Sequence, residues 1–206
     1  MDYSEKVLDH FMNPRNIGKI TNADVEATEG SPACGDQVTY YLKINEETLT
    51  IEDIKFLSYG CASNIATASI TSELVKGKTL EEASNFTWKQ IVESLDGLPS
   101  VKIHCSVLAV DALKSAVKKY QIEKGLRAAE PFNEKTVMQE MRSIIHSGAG
   151  DDIVTLNMVK SIEYQDGILT INLNISEKDV HKCTVVSEIK EHLSRFEEVK
   201  ELNVRA

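Results

Sequence analysis

The sequence lacks three features that would each point to a particular class of protein. It has no basic run, and its 23 lysines and arginines face 32 acidic residues, which gives a net charge of −9. Nucleic-acid binding needs clustered cations, so we expect no nucleic-acid partner. No stretch of about 18 apolar residues is present, so we expect no membrane contact. The N-terminus also lacks the apolar core of a signal peptide, and we predict a cytoplasmic protein.

Cysteine is scarce, and the cysteines do not form a local motif. The chain has four of them and no C-x-x-C pair. In a cytoplasmic protein, thiols favour metal binding or reactivity over disulfide formation. Cys34, Cys61 and Cys105 are 27 and 44 residues apart, and these separations match no local metal-binding loop.

The apolar pattern predicts an α+β fold with two domains. In residues 1–123 we predict a loop over 29–36, antiparallel strands over 37–60, and helices beyond Gly60. The last helix, at about 103–122, is predicted to bury one apolar stripe. That stripe consists of Ile103, Val107, Val110, Leu113 and Val117.

The polar stretch 124–135 is predicted to be a linker, because it contains Gly125 and Pro131 and has no apolar periodicity. Residues 136–206 then predict a second domain. Its elements are an amphipathic helix over 136–148, a hairpin turning at Asp166-Gly167, a helix over 185–196 and a closing strand. That order is typical of a small two-layer α+β domain.

The first domain carries the residues with metal-binding chemistry. Cys61 lies at a predicted strand-to-helix junction and Cys105 in the first turn of the long helix, where the helix dipole favours thiolate. With Cys34, they provide three thiolates, and Asp36 and His104 add a carboxylate and an imidazole. This donor set suits zinc or an iron–sulfur cluster, and the alternative is a set of buried core thiols. A third possibility is a thiol enzyme acting through Cys105, but neighbouring helical residues are not expected to face each other, so His104 is poorly placed as its base.

Five segments, in order along the chain, closely resemble the iron–sulfur cluster assembly scaffold family that comprises IscU and the N-terminal domain of NifU. They are "YSEKVLDHFMNPRNIG", "PACGD", "YGCASNIATAS", "LVKGKTLEEA" and "LPSVKIHCSVLAVDALKSAV". The resemblance covers about residues 1–123 and implies a three-stranded antiparallel sheet packed with helices. It also implies a non-enzymatic scaffold that assembles a transient 2Fe–2S cluster.

By motif, the resemblance implies that Cys34, Cys61 and Cys105 bind the cluster, with Asp36 or His104 as the fourth ligand. It implies zinc in the same pocket when the cluster is absent. Cys105 resembles the thiol that accepts persulfide sulfur from a cysteine desulfurase. The presence of His104 favours the IscU type over the SufU type.

The resemblance also implies partners. The segment containing Leu98, Pro99, Val101 and Lys102 resembles the sequence that a DnaK-type chaperone and its J-type co-chaperone recognise, with Ser100 in place of a second proline. Iron, an electron donor such as ferredoxin, and acceptor apo-proteins complete the set, and a homodimer could share one cluster. The alternative function is a zinc-binding regulator of a cysteine desulfurase that carries no cluster.

The second domain resembles the small domain of iron–sulfur carrier and maturation factors. In that family a cysteine follows the second strand, and Cys183 lies near that place. The preceding "EKDVHK" differs from the usual Ser-Pro-x-Cys pattern. We therefore predict two alternatives, a ligand or transfer thiol at Cys183 or a domain that docks partners.

Overall fold

The computed structural model describes residues 3–31 and 35–206, and only the backbone of Ser31. It divides the chain into two compact units, Met1–Ala129 and Glu130–Ala206. From the sequence, the first domain was predicted to end at residue 123 and the second to begin at residue 136.

The first unit combines one sheet with helices. Its elements are α1 (Glu5–Met12), β1 (Val25–Ser31), β2 (Asp36–Asn45), β3 (Thr50–Tyr59), α2 (Ala62–Val75), α3 (Leu80–Ser84), α4 (Trp88–Ser94), a 3₁₀ turn (Ser100–Lys102) and α5 (Ile103–Glu123).

The three strands form an antiparallel sheet in the order β1-β2-β3, which confirms the predicted sheet. In β2, Val38, Tyr40 and Leu42 are fully buried, as expected for strands with one face on the core. The loop predicted over 29–36 is wrong at both ends, since β1 extends to Ser31 and β2 begins at Asp36. The composition of this segment resembles a loop, but pairing of Ser31 with Asp36 extends the ladder.

The helices α2 and α5 contribute much of the rest of the core, together with residues of α1, α3 and α4. All five residues of the predicted stripe on α5 are buried, which confirms that prediction. On α2 the buried residues are small and often polar, including Ser63, Thr67 and Ser72. Their hydroxyls are satisfied locally; for example, Thr67 donates to the carbonyl of Cys105 on α5 at 3.1 Å. Small side chains of this kind allow α2 to lie close to α5.

The second unit has α6 (Glu134–Glu140), a 3₁₀ turn (Met141–Ser143), β4 (Ile145–His146), β5 (Asp151–Asp152), β6 (Val159–Gln165), β7 (Ile168–Leu173), α7 (Lys182–Leu193) and β8 (Glu201–Arg205). The order β6-β7-β8 forms a sheet in which β7 and β8 are parallel.

Three expectations for this unit need correction. The helix predicted over 136–148 ends at Glu140, because the chain continues as a 3₁₀ turn and then pairs in β4. The following loop contains the short antiparallel pair of β4 and β5. The helix predicted over 185–196 begins earlier and is α7, Lys182–Leu193. The hairpin at Asp166-Gly167 forms as predicted.

Among the described residues, no helix combines the length and the apolar character that a bilayer span requires.

Candidate metal and cluster site

Three elements of the first unit begin close to one another at the site. Asp36 is the first residue of β2, Cys61 is the N-cap of α2, and His104 and Cys105 lie in the first turn of α5. Asp36 and Cys105 are buried, whereas Cys61 and His104 keep part of their surface in solvent. The site is therefore partly open.

The donor atoms are close to one another. Ligand atoms of Asp36, His104 and Cys105 all lie within 4.8 Å of each other. Cys61 Sγ is 3.6 Å from Cys105 Sγ and 3.6 Å from Asp36 Oδ2. Cys105 Sγ is 3.7 Å from the same carboxylate oxygen. The structure thus brings together four of the five residues that the sequence singles out.

The expectation that His104 and Cys105 do not face each other is wrong. His104 Nε2 lies 3.4 Å from Cys105 Sγ. The expectation used the directions of the Cβ atoms, which do diverge between neighbours on a helix. The imidazole of His104 extends further than that argument allows, and the residue lies in the first turn of α5.

The two described thiols of the site are coupled through the hydrogen bond between their sulfurs. This bond holds the pKa of Cys61 well below its usual value. The backbone N–H of Asn64 at the start of α2 acts in the same direction. The same sulfur contact, together with burial, raises the pKa of Cys105. The opposite directions of the two pKa shifts make Cys61 the more acidic of these thiols.

Two further ionisable groups lie beside these thiols. Burial lowers the pKa of His104, so its imidazole is neutral and free to donate a lone pair to a metal. Burial opposes the charge of Lys102, but the nearby thiols Cys61 and Cys105 outweigh it and raise its pKa. The sequence had assigned Lys102 only to a chaperone contact, and the structure also places its charge beside the thiols.

Gly60 is required by the closeness of Asp36. A Cβ built on Gly60 would lie 2.4 Å from Asp36 Oδ1 and 2.8 Å from Asn64 Nδ2. With no side chain at this position, the Cys61 N–H reaches Asp36 Oδ1 at 3.3 Å. The glycine thus allows the β3–α2 junction to approach the carboxylate.

Asn64 is the residue near the site that sequence reasoning missed. It is fully buried, and its Oδ1 has no hydrogen-bond partner among the described residues. A buried acceptor without a partner costs about 1–3 kcal/mol. The only sequence signal was an amide side chain among small residues, three positions after Cys61.

Other residues singled out by the sequence have different outcomes. Cys34 lies outside the described residues. Val101 is exposed within the 3₁₀ turn that leads into α5, while Leu98 packs against the core. Cys183, expected just before a helix, is exposed in the first turn of α7 in the second unit.

The donor set fits a metal. Two sulfurs, one imidazole nitrogen and one carboxylate oxygen are the atoms that bind zinc in tetrahedral sites. Thiolates are also the usual ligands of iron–sulfur clusters. The fold and the site therefore define a protein with a partly open metal or cluster site, built from the start of strand β2 and two helix N-termini.

Comparison with known proteins places this site in a family. Residues 2–127 match the family model described as NifU-like N-terminal domain, and the chain belongs to this family.

Curated relatives match the same part of the chain. The "iron-sulfur cluster assembly scaffold protein IscU" of Azotobacter vinelandii is 52% identical over 129 residues, which is 61% of this chain and 99% of the relative. The protein of the same name from Escherichia coli is 49% identical over 124 residues, 59% of this chain and 95% of the relative. "Iron-sulfur cluster assembly scaffold protein IscU 1" of Archaeoglobus fulgidus is 52% identical over 123 residues, 60% of this chain and 79% of the relative.

Proposed function

We propose that this chain is a scaffold on which an iron–sulfur cluster is assembled and from which it passes to acceptor proteins. The observation that carries the proposal is the convergence of Asp36, Cys61, His104 and Cys105 in a partly open site. Family membership and relatives named as scaffolds at about half identity support it.

The donor set suits a cluster that is to be released. A storage or electron-transfer cluster is best held by four thiolates. A carboxylate or imidazole is a harder ligand than a thiolate and is more easily displaced by an incoming acceptor thiol. We propose a 2Fe–2S cluster held by Cys34, Cys61 and Cys105, with Asp36 or His104 as the fourth ligand. Both candidates for that position lie within reach of Cys105 Sγ.

We propose that Cys105 accepts sulfur from a cysteine desulfurase. In that step, the Cys105 thiolate attacks the outer sulfur of the desulfurase persulfide, and the desulfurase thiolate leaves. In the metal-free geometry, Cys105 is buried, and the contact with Cys61 together with burial raises its pKa. Sulfur transfer therefore requires the site to open and the proton to move to Cys61 or another base.

The remaining partners stay predictions. The segment Ser100–Lys102 forms an exposed 3₁₀ turn directly before α5. A DnaK-type chaperone that grips Leu98–Lys102 would pull on the helix that carries His104 and Cys105, which is a physical route to release. We also propose an electron donor such as ferredoxin, acceptor apo-proteins and a homodimer. A role for Cys183 and a cytoplasmic location are further proposals.

A second candidate is a zinc-binding regulator of a desulfurase. It is favoured by the described donors, which are two sulfurs, one nitrogen and one oxygen, a complete tetrahedral zinc set without Cys34. We propose that zinc occupies the site when the cluster is absent.

One experiment separates these functions. The protein is mixed anaerobically with ferrous iron, cysteine and a cysteine desulfurase, and its visible absorption is recorded. A scaffold turns red-brown with sulfide-to-iron absorption and transfers the colour to an apo-ferredoxin. A zinc regulator stays colourless and retains its metal, and that result would overturn the scaffold proposal. A thiol enzyme would turn over a substrate without iron.

A further inference from the structure

Asn64 connects both strand ends next to the site. Its Nδ2 lies 3.3 Å from the carbonyl oxygen of Gln37, 3.2 Å from that of Tyr59 and 3.1 Å from Ser58 Oγ. Gln37 and Tyr59 are opposite each other in the β2–β3 ladder. One amide group therefore donates to the two strands from the first turn of α2.

The positions that Asn64 anchors are adjacent to two of the proposed ligands. Gln37 directly follows Asp36, and Tyr59 is separated from Cys61 by Gly60 alone. A side chain at position 60 would clash with both Asp36 and Asn64. The side chains of these two residues therefore both pack against the backbone of Gly60. A movement of Asn64 would change the separation between Asp36 and Cys61.

Asn64 is not the residue that the core alone would favour. The rest of the buried surface of α2 consists of alanine, serine, threonine and aliphatic side chains. Asn64 buries an amide whose Oδ1 has no partner in the described part of the chain. The hydrogen bonds from the amide to the strand ends offset the free-energy cost of leaving that atom unsatisfied.

We propose that Asn64 is a positioning residue, which sets the distance between Asp36 and Cys61 and so tunes metal affinity at the site. The inference rests on the proposed function, because it treats those two side chains as ligands. His104 and Cys105 come from α5, whereas in the described part of the chain the Asn64 amide donates to β2 and β3 only. Loss of Asn64 should therefore impair one half of the site and leave the other half in place.

The test uses Asn64→Leu in the full chain, a change that keeps the approximate size and removes the donor. The matched control is Tyr40→Phe, which removes a buried hydrogen bond of 3.2 Å to the carbonyl of Ala68 on the same helix, away from the site. Cobalt(II) is added to the metal-free proteins, and its affinity is measured by competition with a chelator. The ligand-field absorption bands are recorded, and stability is measured by urea unfolding.

We expect Asn64→Leu to weaken cobalt binding at least about tenfold, as changes to groups that orient metal ligands do, and to shift the ligand-field bands. Tyr40→Phe should leave both unchanged. In an Asp36→Ala background the effect of Asn64→Leu should become smaller, because Asn64 acts partly through Asp36. Cobalt affinity and bands equal to those of wild type would refute the proposal, as would a loss that simply follows stability in both variants.

Two further experimental results also have a defined interpretation. If Asn64→Leu does not fold, Asn64→Ser carries the same test, because serine is too short to reach the strand carbonyls and adds no apolar bulk. If wild type binds cobalt through thiolates but fails the cluster reconstitution, the scaffold function is lost. The positioning role is still judged by the cobalt measurements.

Discussion

Gly60→Ala should damage the site by steric displacement of one ligand. The new Cβ would lie 2.4 Å from Asp36 Oδ1 and 2.7 Å from Asp36 Cγ, whereas ordinary contact begins at 3.4 Å. The carboxylate or the β3–α2 junction must therefore move by about 1 Å, roughly twice the tolerance of a preorganised site.

The size of the effect follows from that displacement. Overpacking of this kind costs about 1–3 kcal/mol of stability. Misplacing one donor should weaken zinc binding by about 10- to 100-fold, the range seen when groups that orient metal ligands are changed. Zinc affinity is measured by competition with a chromophoric chelator on the metal-free protein, and stability by urea unfolding.

Gly77→Ala is the matched control. Gly77 also has a positive φ, 83° against 154° for Gly60, but a Cβ there would meet nothing within 4 Å. Its substitution brings backbone strain of about 1–2 kcal/mol without a clash at the site. The reasoning fails if Gly60→Ala keeps its zinc affinity within a factor of two, or if Gly77→Ala loses as much as Gly60→Ala does.

Three more predictions address the chemistry of the scaffold. Asp36→Ala should give a longer-lived cluster that transfers more slowly, since a displaceable oxygen donor is lost; transfer to an apo-ferredoxin at the wild-type rate would show that Asp36 has no such role. In metal-free protein, iodoacetamide should modify Cys61 before Cys105 at pH 7, because the lowered pKa of Cys61 keeps it ionised below the usual thiol range. Cys105→Ala removes the donated hydrogen bond, so the Cys61 reaction should shift to higher pH, and mass spectrometry of the labelled peptides shows whether it does. A chain ending at Ala129 should still assemble a cluster while delivering it poorly; full delivery by that chain would exclude a transfer role for the second unit.

The chemical identity of the site was largely predictable from the sequence. Cys61, His104 and Cys105 occur in short motifs, and strand alternation, helix periodicity and Gly60 placed them at element boundaries. These signals are local, because each depends on residues within a few positions of one another. The same signals identified the long stripe on α5 and the hairpin at Asp166-Gly167, both of which form.

The secondary-structure predictions were wrong where pairing with a distant segment determines the local conformation. The segment over 29–36 has the composition of a loop, yet its ends pair as strands because a partner strand is available. The helix predicted from Thr136 onward stops at Glu140, because the following residues find a partner in β5. Local propensity is a weak prior, and tertiary pairing overrides it.

The sequence by itself determined which donors the protein has and which family it belongs to, and it located part of the regular elements. Only the tertiary structure decided which of those donors meet. Cys105 and Asp36 are 69 positions apart in the chain, and Cys61 and Asp36 are 25 apart, yet their ligand atoms are within 4 Å. The Asn64 anchor and the sulfur contact between Cys61 and Cys105 depend on the same convergence. Contacts of this length arise from the packing of whole elements around a core, and no pattern of a few neighbouring residues encodes them.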